Sequence, residues 1–204
     1  MKLITVNYKD IVVSDLVTGA IIRNDFPGFK EDYLTVHCLI KKYQPTTLLE
    51  IGTSSGSGTK VICNAMGIKR YFWNKNKNLR KVISIDVPPK TDPSIMYPEG
   101  EDGHPKKAGR KCNYPYTQLF GNSKDFDFSP YYPIDAWFID GKHNYEYAKG
   151  DTLQALKSDP QLLMWHDIQL KEVLNAVKDT LNESNKYDLY VVEGTRIAYA
   201  VKTS

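Results

Sequence analysis

At five points along the chain, polar residues able to bind a ligand follow directly on a short apolar run. Glu50-Ile-Gly52-Thr53-Ser54-Ser-Gly56-Ser57 follows TLL, Asp86 closes VISI, and Gly121-Asn122-Ser123 follows YTQLF. Asp140-Gly141-Lys142-His143 ends IDAWFI, and His166-Asp167 ends QLLMW. Glycine at 52 and 56 permits a tight turn and a close backbone approach to a ligand. Asp86 stands 34 residues beyond Gly52, at the tip of the next apolar run, where a carboxylate can accept both hydroxyls of a ribose. The pairing points to a nucleoside-containing cofactor. The glycine spacing is GxxxGxG and not GxGxxG, which argues against a dinucleotide site, and no GxxxxGK[ST] phosphate loop occurs.

The last two strand ends carry a second kind of chemistry. His143 titrates in the range a general base needs. Asp140 and Asp167, with His166 beside them, offer ligands for a divalent cation that would lower the pKa of a bound hydroxyl. Each residue also has a plainer use. The glycines would serve as packing turns and Asp86 as a helix cap. His143 would fix its own turn, His166 would be structural, and Asp151 would make a hydrogen bond within or near its helix. Trp137 and Trp165, inside apolar runs, belong to the core.

These residues must be carried on a regular frame, and the chain supplies one. Apolar runs at 47–52, 82–86, 116–121, 134–140 and 161–167 predict five buried strands. Between them, helices are predicted at 29–43, from Ser57 to Gly67, at 144–156 and at 170–181. In the last, Leu170, Val173, Leu174, Val177 and Leu181 form one apolar stripe. Residues 188–203 predict two strands joined across Glu193-Gly194-Thr195. Strands alternating with helices imply a doubly wound α/β fold, with a seven-stranded, mostly parallel sheet and a C-terminal antiparallel hairpin. Residues 1–28 read as an N-terminal extension in short extended pieces (LITV, DIVV), closed by the turn at FPG. Residues 29–204 read as a single domain, interrupted by a long loop at 87–115 that holds Pro88, Pro89, Pro93, Pro98, Pro105 and Pro115. A loop of that length is usually functional or disordered, and a lid is one use for it.

Composition narrows the class. The 204 residues hold 27 Lys+Arg against 24 Asp+Glu, a balance of +3 that does not announce nucleic acid. Two basic stretches are local exceptions: residues 69–81, with six positive charges among Tyr71, Phe72 and Trp73, and Lys106, Lys107, Arg110 and Lys111 in the long loop. Such interleaving suits a phosphorylated acceptor or single-stranded nucleic acid, and equally a solvated connection. No apolar run is long enough to cross a membrane. Cys38, Cys63 and Cys112 form no CxxC pair, so neither a disulfide framework nor a structural zinc site is expected, and a cytoplasmic setting is.

Glu50-x-Gly52 with its glycine-rich turn, the acidic end of the second strand and the closing hairpin resemble the class I S-adenosylmethionine-dependent methyltransferases, which have a Rossmann-like fold. More narrowly, LLEIGTSSGSGT, FIDGKHNYEYAKGD and LLMWHD resemble the small O-methyltransferase-like family with a DGxHxY pattern and a late HD, over about residues 30–202. The resemblance implies S-adenosylmethionine as cofactor. Glu50, Gly52, Thr53, Ser54, Gly56 and Ser57 would bind it, with Gly52, Thr53 and Ser54 along its methionine portion, Asp86 at the ribose and Asn122–Ser123 at the adenine. Asp140 would lie where cofactor, metal and acceptor meet. It implies Asp140, His143 and Asp167 as catalytic residues acting on a small polar acceptor such as a sugar or sugar nucleotide, and a metal site at Asp140, His166 and Asp167, which in related enzymes takes Mg2+. Three departures stand out: an amide at Asn122 where the family has an acid, SDPQ in place of a Gly-Gly turn before the fifth strand, and His166 where a magnesium site would carry oxygen. The alternatives are a nucleic-acid-modifying or RNA-binding protein and a non-catalytic cofactor-fold protein.

Overall fold

The computed structural model describes residues 1–17, 29–69, 80–88 and 108–203. Its eight strands are β1 (Leu3–Asn7), β2 (Thr47–Ile51), β3 (Lys81–Asp86), β4 (Thr117–Phe120), β5 (Ala136–Ile139), β6 (Leu162–Trp165), β7 (Tyr187–Glu193) and β8 (Ala198–Lys202). Its helices are α1 (Tyr8–Ile11), α2 (Ser14–Val17), α3 (Lys30–Tyr43), α4 (Ser57–Ala65), α5 (Tyr145–Leu156) and α6 (Lys171–Ser184), with a 3-10 turn at Ser129–Tyr131. The strands form one sheet in the order β1-β7-β8-β6-β5-β2-β3-β4, parallel except where β8 runs against β6 and β7. This is the doubly wound α/β arrangement that the alternation of apolar runs implies, closed by the expected hairpin. Among the described residues no helix is long and apolar enough to cross a membrane.

The sheet has one strand more than the seven expected. Residues 3–7 of the N-terminal segment pair in parallel with β7 and extend the edge. The following residues Tyr8–Ile11 turn into a short helix rather than the expected extended piece, with Asn7 Oδ1 accepting from the Lys9 amide at 3.0 Å. The basic residues 70–79 and the loop residues 89–107, with Lys106 and Lys107, lie outside the described residues.

Every residue of β2, β5 and β6 is buried. A parallel sheet covered on both faces demands that, and it explains why these strands read as continuous apolar runs and not as alternations. Successive side chains still point to opposite faces. Leu49, Ile51, Trp137, Ile139, Leu163 and Trp165 pack beneath α5 and α6, and Leu48, Ala136, Phe138, Leu162 and Met164 pack beneath α3 and α4.

Register does the positioning. Ile51 pairs with Ile85 and with Ile139, and Ile139 pairs with Trp165, so four parallel strands end level. The next residue in each is Gly52, Asp86, Asp140 and His166. Strand order reverses between β2 and β5, and a sheet of this kind leaves a crevice at such a reversal. Phe138 is fully buried in the centre of the sheet. Phe138→Ala is expected to cost about 3–5 kcal/mol in urea denaturation, and Leu153→Ala, at an exposed position of α5, to stay within about 0.5 kcal/mol.

Candidate functional site

The turn after β2 is shaped by backbone contacts that exclude a side chain. Gly52 has φ +98°, and a Cβ there would stand 2.0 Å from the Asp140 carbonyl oxygen. Its amide donates to Ile85 O at 2.9 Å, while the Asp140 amide donates to Ile51 O at 2.9 Å, so β2 is held to both neighbours where it ends. Gly56, with φ +86°, meets Gly109 closely enough that a Cβ would lie 2.7 Å from its Cα. The Gly109 and Lys111 amides donate to Ser54 O and Ser55 O at 2.9 and 2.7 Å, and so strap the end of the long loop onto the glycine turn.

Asp86 closes the turn from β3. One carboxylate oxygen accepts from the Ser54 amide at 2.6 Å and the other from the Val87 amide at 2.7 Å. An open cleft lies between this carboxylate and the start of the segment after β5. Gly52, Ser54, Asp86, Asn122, Ser123 and Asp140 line it, together with Val87, Gly141, Lys142 and Tyr147. Six of the residues that the sequence singles out thus converge on one crevice.

Glu50, Thr53 and Ser57 lie beneath the turn and do not line that cleft. Glu50 accepts from Thr59 Oγ1 at 2.5 Å and Ser84 Oγ at 2.6 Å, while its other oxygen, Oε1, is buried without a hydrogen bond. Burial pushes its pKa up to about 8, against the opposing pull of the two hydroxyls. A Cβ on Gly58 would sit 2.7 Å from that same oxygen, so helix α4 must be bare at this point. At the far end of the cleft Ser123 Oγ donates to Asp151 Oδ1 at 2.6 Å. Asp151 therefore does not bond within or near its own helix, as the sequence suggests, but reaches across to the segment after β4. Burial raises its pKa to about 6.

Beside the cleft, β5 and β6 bring Asp140, His143, His166 and Asp167 together. His166 Nδ1 lies 3.3 Å from Asp140 Oδ1 and 3.0 Å from Asp167 Oδ2, and His143 Nε2 lies 3.4 and 3.1 Å from the same two atoms. Asp167 has φ +54°, a left-handed backbone that turns its carboxylate back toward His166. Behind His166 stands Asp32, fully buried on α3. It accepts from the Arg196 amide, Nε and Nη2 at 2.8, 2.9 and 2.7 Å, and its Oδ2 lies 3.2 Å from His166 Nε2. The Phe29 ring stacks on His166 with centroids 5.7 Å apart, and the Arg196 guanidinium lies 3.7 Å over the Phe29 centroid.

Charge governs these ionisations. Burial alone would depress His166, but the surrounding carboxylates outweigh it and hold its pKa up at about 12. His143 is raised by its hydrogen bond to Asp140, against burial. Burial would raise Asp32, Asp140 and Asp167, yet the imidazoles hold all three below the usual carboxylate range, joined at Asp32 by Arg196 and at Asp167 by Gln169.

Sequence reasoning missed Asp32, Arg196 and Phe29, as well as Tyr147 on the wall of the cleft, whereas Lys142 there belongs to a strand end it had marked. The first two are 164 residues apart, and no spacing joins them. Asp32 reads only as an acid in the first turn of a helix. Tyr147 lies within the FIDGKHNYEYAKGD stretch, so proximity to a marked motif was the available signal.

No family model matches the sequence, and no curated protein matches it. Solved structures do match the fold. An O-methyltransferase from Bacillus cereus in complex with S-adenosylhomocysteine superposes with a TM-score of 0.55 at 12% identity, over 89% of this chain and 84% of that one. TomG, the O-methyltransferase from Streptomyces achromogenes involved in tomaymycin synthesis, was solved with S-adenosylmethionine. It gives 0.57 at 15% identity, over 89% and 83% of the two chains. MycE from the mycinamycin biosynthetic pathway, in complex with Mg, S-adenosylhomocysteine and mycinamycin VI, gives 0.53 at 13% identity, over 85% of this chain and 49% of that one. The chain thus has the Rossmann-like α/β fold of these methyltransferases.

Two measurements test this architecture. Gly52→Ala forces a Cβ onto the Asp140 carbonyl and is expected to lower the melting temperature and disturb the amides of residues 52–56 and 140 in an NMR spectrum. Glu50 has a folded pKa of about 8, above its unfolded value. Its burial therefore leaves stability intact in acid and removes it as pH rises from the ordinary carboxylate range to about 8. Glu50→Gln is expected to flatten that slope in urea denaturation at pH 5 and pH 8.

Proposed function

We propose that this protein is an S-adenosylmethionine-dependent methyltransferase acting on a hydroxyl of a small polar acceptor. The observation that carries the reading is the convergence of the Gly52 turn, Asp86 and Asn122–Ser123 on one cleft, with the Asp140, His143, His166 and Asp167 cluster at its edge. Support also comes from the fold, since structures that share it are named as O-methyltransferases holding S-adenosylmethionine or S-adenosylhomocysteine.

The cofactor's parts follow the cleft. Asp86, held at the lip of the cleft by the Ser54 and Val87 amides, is the carboxylate that accepts the ribose hydroxyls. Asn122 and Ser123 serve the adenine edge. Because the Ser123 hydroxyl proton is already given to Asp151, its oxygen is left as an acceptor. Gly52 and Ser54 lie along the methionine portion, with Thr53 and Glu50 bracing the turn from below. Glu50 acts on the cofactor through this frame and does not touch it.

Methyl transfer is an in-line displacement. The acceptor oxygen bonds the methyl carbon as the carbon–sulfur bond breaks, giving the methyl ether, S-adenosylhomocysteine and one proton. The proton and the charge on the acceptor oxygen fall to the cluster beside Asp140. His143 is its most exposed member, with 38% of its side chain open to solvent, and is placed to pass a proton outward. A dication fits the same donors. His166 Nδ1 is buried without an aligned hydrogen bond and faces the Asp140 and Asp167 oxygens, with ligand atoms of the three residues within 4.8 Å of one another. When bound, such an ion would supply positive charge that lowers the pKa of the acceptor hydroxyl. Asp140 belongs to both the cleft and the cluster, and aligns donor with acceptor.

Calorimetric titration of cofactor-stripped protein with S-adenosylmethionine and S-adenosylhomocysteine tests the reading. Micromolar binding is expected, weakened by Asp86→Ala by about tenfold or more, the worth of charged hydrogen bonds. Folded protein that takes up neither compound overturns the reading.

A further inference from the structure

Two of the three cysteines meet where the long loop returns to the glycine turn. Cys63 lies one helical turn after Thr59 on α4, so the two share a face. Thr59 Oγ1 reaches Glu50 from that face at 2.5 Å, and Cys63 is fully buried in the cluster under α3 and α4. Cys112 packs against the same cluster from the loop side. Its amide donates to Gly109 O at 2.9 Å, and the Gly109 and Lys111 amides are bonded to Ser54 O and Ser55 O, so the backbone fixes its place beside the start of α4. There the two thiols are in hydrogen-bond contact. We propose that Cys63 and Cys112 are a redox-active pair whose disulfide staples the returning loop to α4 and holds the glycine turn in its cofactor-binding shape. The link to cofactor rests on the methyltransferase reading above.

Placement divides the chemistry between the two sulfurs. Cys112 is partly exposed, so a peroxide reaches it first. Its sulfur attacks one peroxide oxygen, the O–O bond breaks, and a sulfenic acid and one water form. Cys63 is the resolving thiol. The hydrogen bond to Cys112, together with burial, pushes its thiol far up, so it keeps its proton until the second step. Its sulfur then attacks Cys112 Sγ. The S–S bond forms as the S–O bond breaks, and the hydroxyl leaves as a second water with the Cys63 proton. The pair gives up two electrons and the peroxide takes them. A disulfide is about 2.05 Å long, so sulfurs already in contact close by only about 2 Å. A dithiol restores both thiols by exchange, and such a reversible bond needs no oxidising compartment.

The bond acts on the cleft through backbone. Ser54 and Ser55 hold the loop's amides on their carbonyls, and the Ser54 amide is itself bonded to Asp86. Gly56 and Gly109 touch with no side chain between them, so a shift of the loop end is passed to the turn. Fastening Cys112 to α4 orders these residues before a ligand arrives, and less ordering remains to oppose binding.

The test reads the bond itself. The full chain is treated with hydrogen peroxide or with dithiothreitol, digested without reduction and mapped by mass spectrometry. A peptide joining Cys63 to Cys112 is expected after peroxide, with a melting temperature raised by about 5 °C or more. Dithiothreitol reverses both changes, Cys112→Ser abolishes them and Cys38→Ala retains them. Oxidised wild type is expected to bind S-adenosylhomocysteine about threefold more tightly than reduced protein, and Cys112→Ser to bind it equally after either treatment. Oxidation of Cys112 without a cross-link to Cys63, or a cross-link in another pairing, overturns the inference. A Cys63–Cys112 bond that leaves the affinity unchanged or lower overturns its role at the turn. Should Cys112→Ser not fold, the wild-type peptide map still decides the pairing. A cross-linked, folded protein that binds S-adenosylhomocysteine in neither state overturns the methyltransferase reading and leaves the thiol pair standing.

Discussion

Much of the structure follows from the approach of Gly52 to the carbonyl of Asp140. With no Cβ between them, β2 and β5 stay hydrogen-bonded one residue past the last paired isoleucines. The glycine turn and the Asp140 segment therefore leave the sheet from the same point. The turn reaches Asp86 on one side, and Asp140 reaches the β6 end on the other. One backbone contact thus sets the distance between the cleft and the charged cluster.

The cluster is costly to build. Asp32 and His166 are almost fully removed from water, and a buried charge without a partner is strongly destabilising. Compensation comes from crossing charges. Three carboxylates face two imidazoles and one guanidinium, so removing any one leaves an unmatched partner. Such groups rarely serve stability alone, since apolar side chains of like volume often do as well. These stand at the strand ends beside an open cleft that Asp140 also lines.

What the sequence made legible was whatever is local or repeated. Burial of β2, β5 and β6 on both faces left unbroken apolar runs, and the residue that ends each run is by construction at the edge where ligands sit. The strand ends could therefore be listed before any contact was known. Contacts between distant segments were not legible. Asp32 meets Arg196 and His166 only because α3 and the final hairpin cover the same end of the sheet. Ser123 finds Asp151 only because α5 packs over the segment after β4. Nor did the five residues of β1 announce a strand that adds to the sheet, because edge pairing needs only backbone groups and a short extended piece.

The bond between Asp32 and Arg196 has a consequence for the order of synthesis. Asp32 is made before its main partner, which follows 164 residues later. Until then its carboxylate has no guanidinium to meet, and α3 cannot settle over the sheet end without stranding a charge. His166 waits on the same event, since Asp32 sets its ring. The nascent chain can assemble its central strands and the glycine turn well before that point. The charged cluster is completed only when the β7–β8 hairpin folds back, so Asp32, His166 and Arg196 lock together after the central strands have formed.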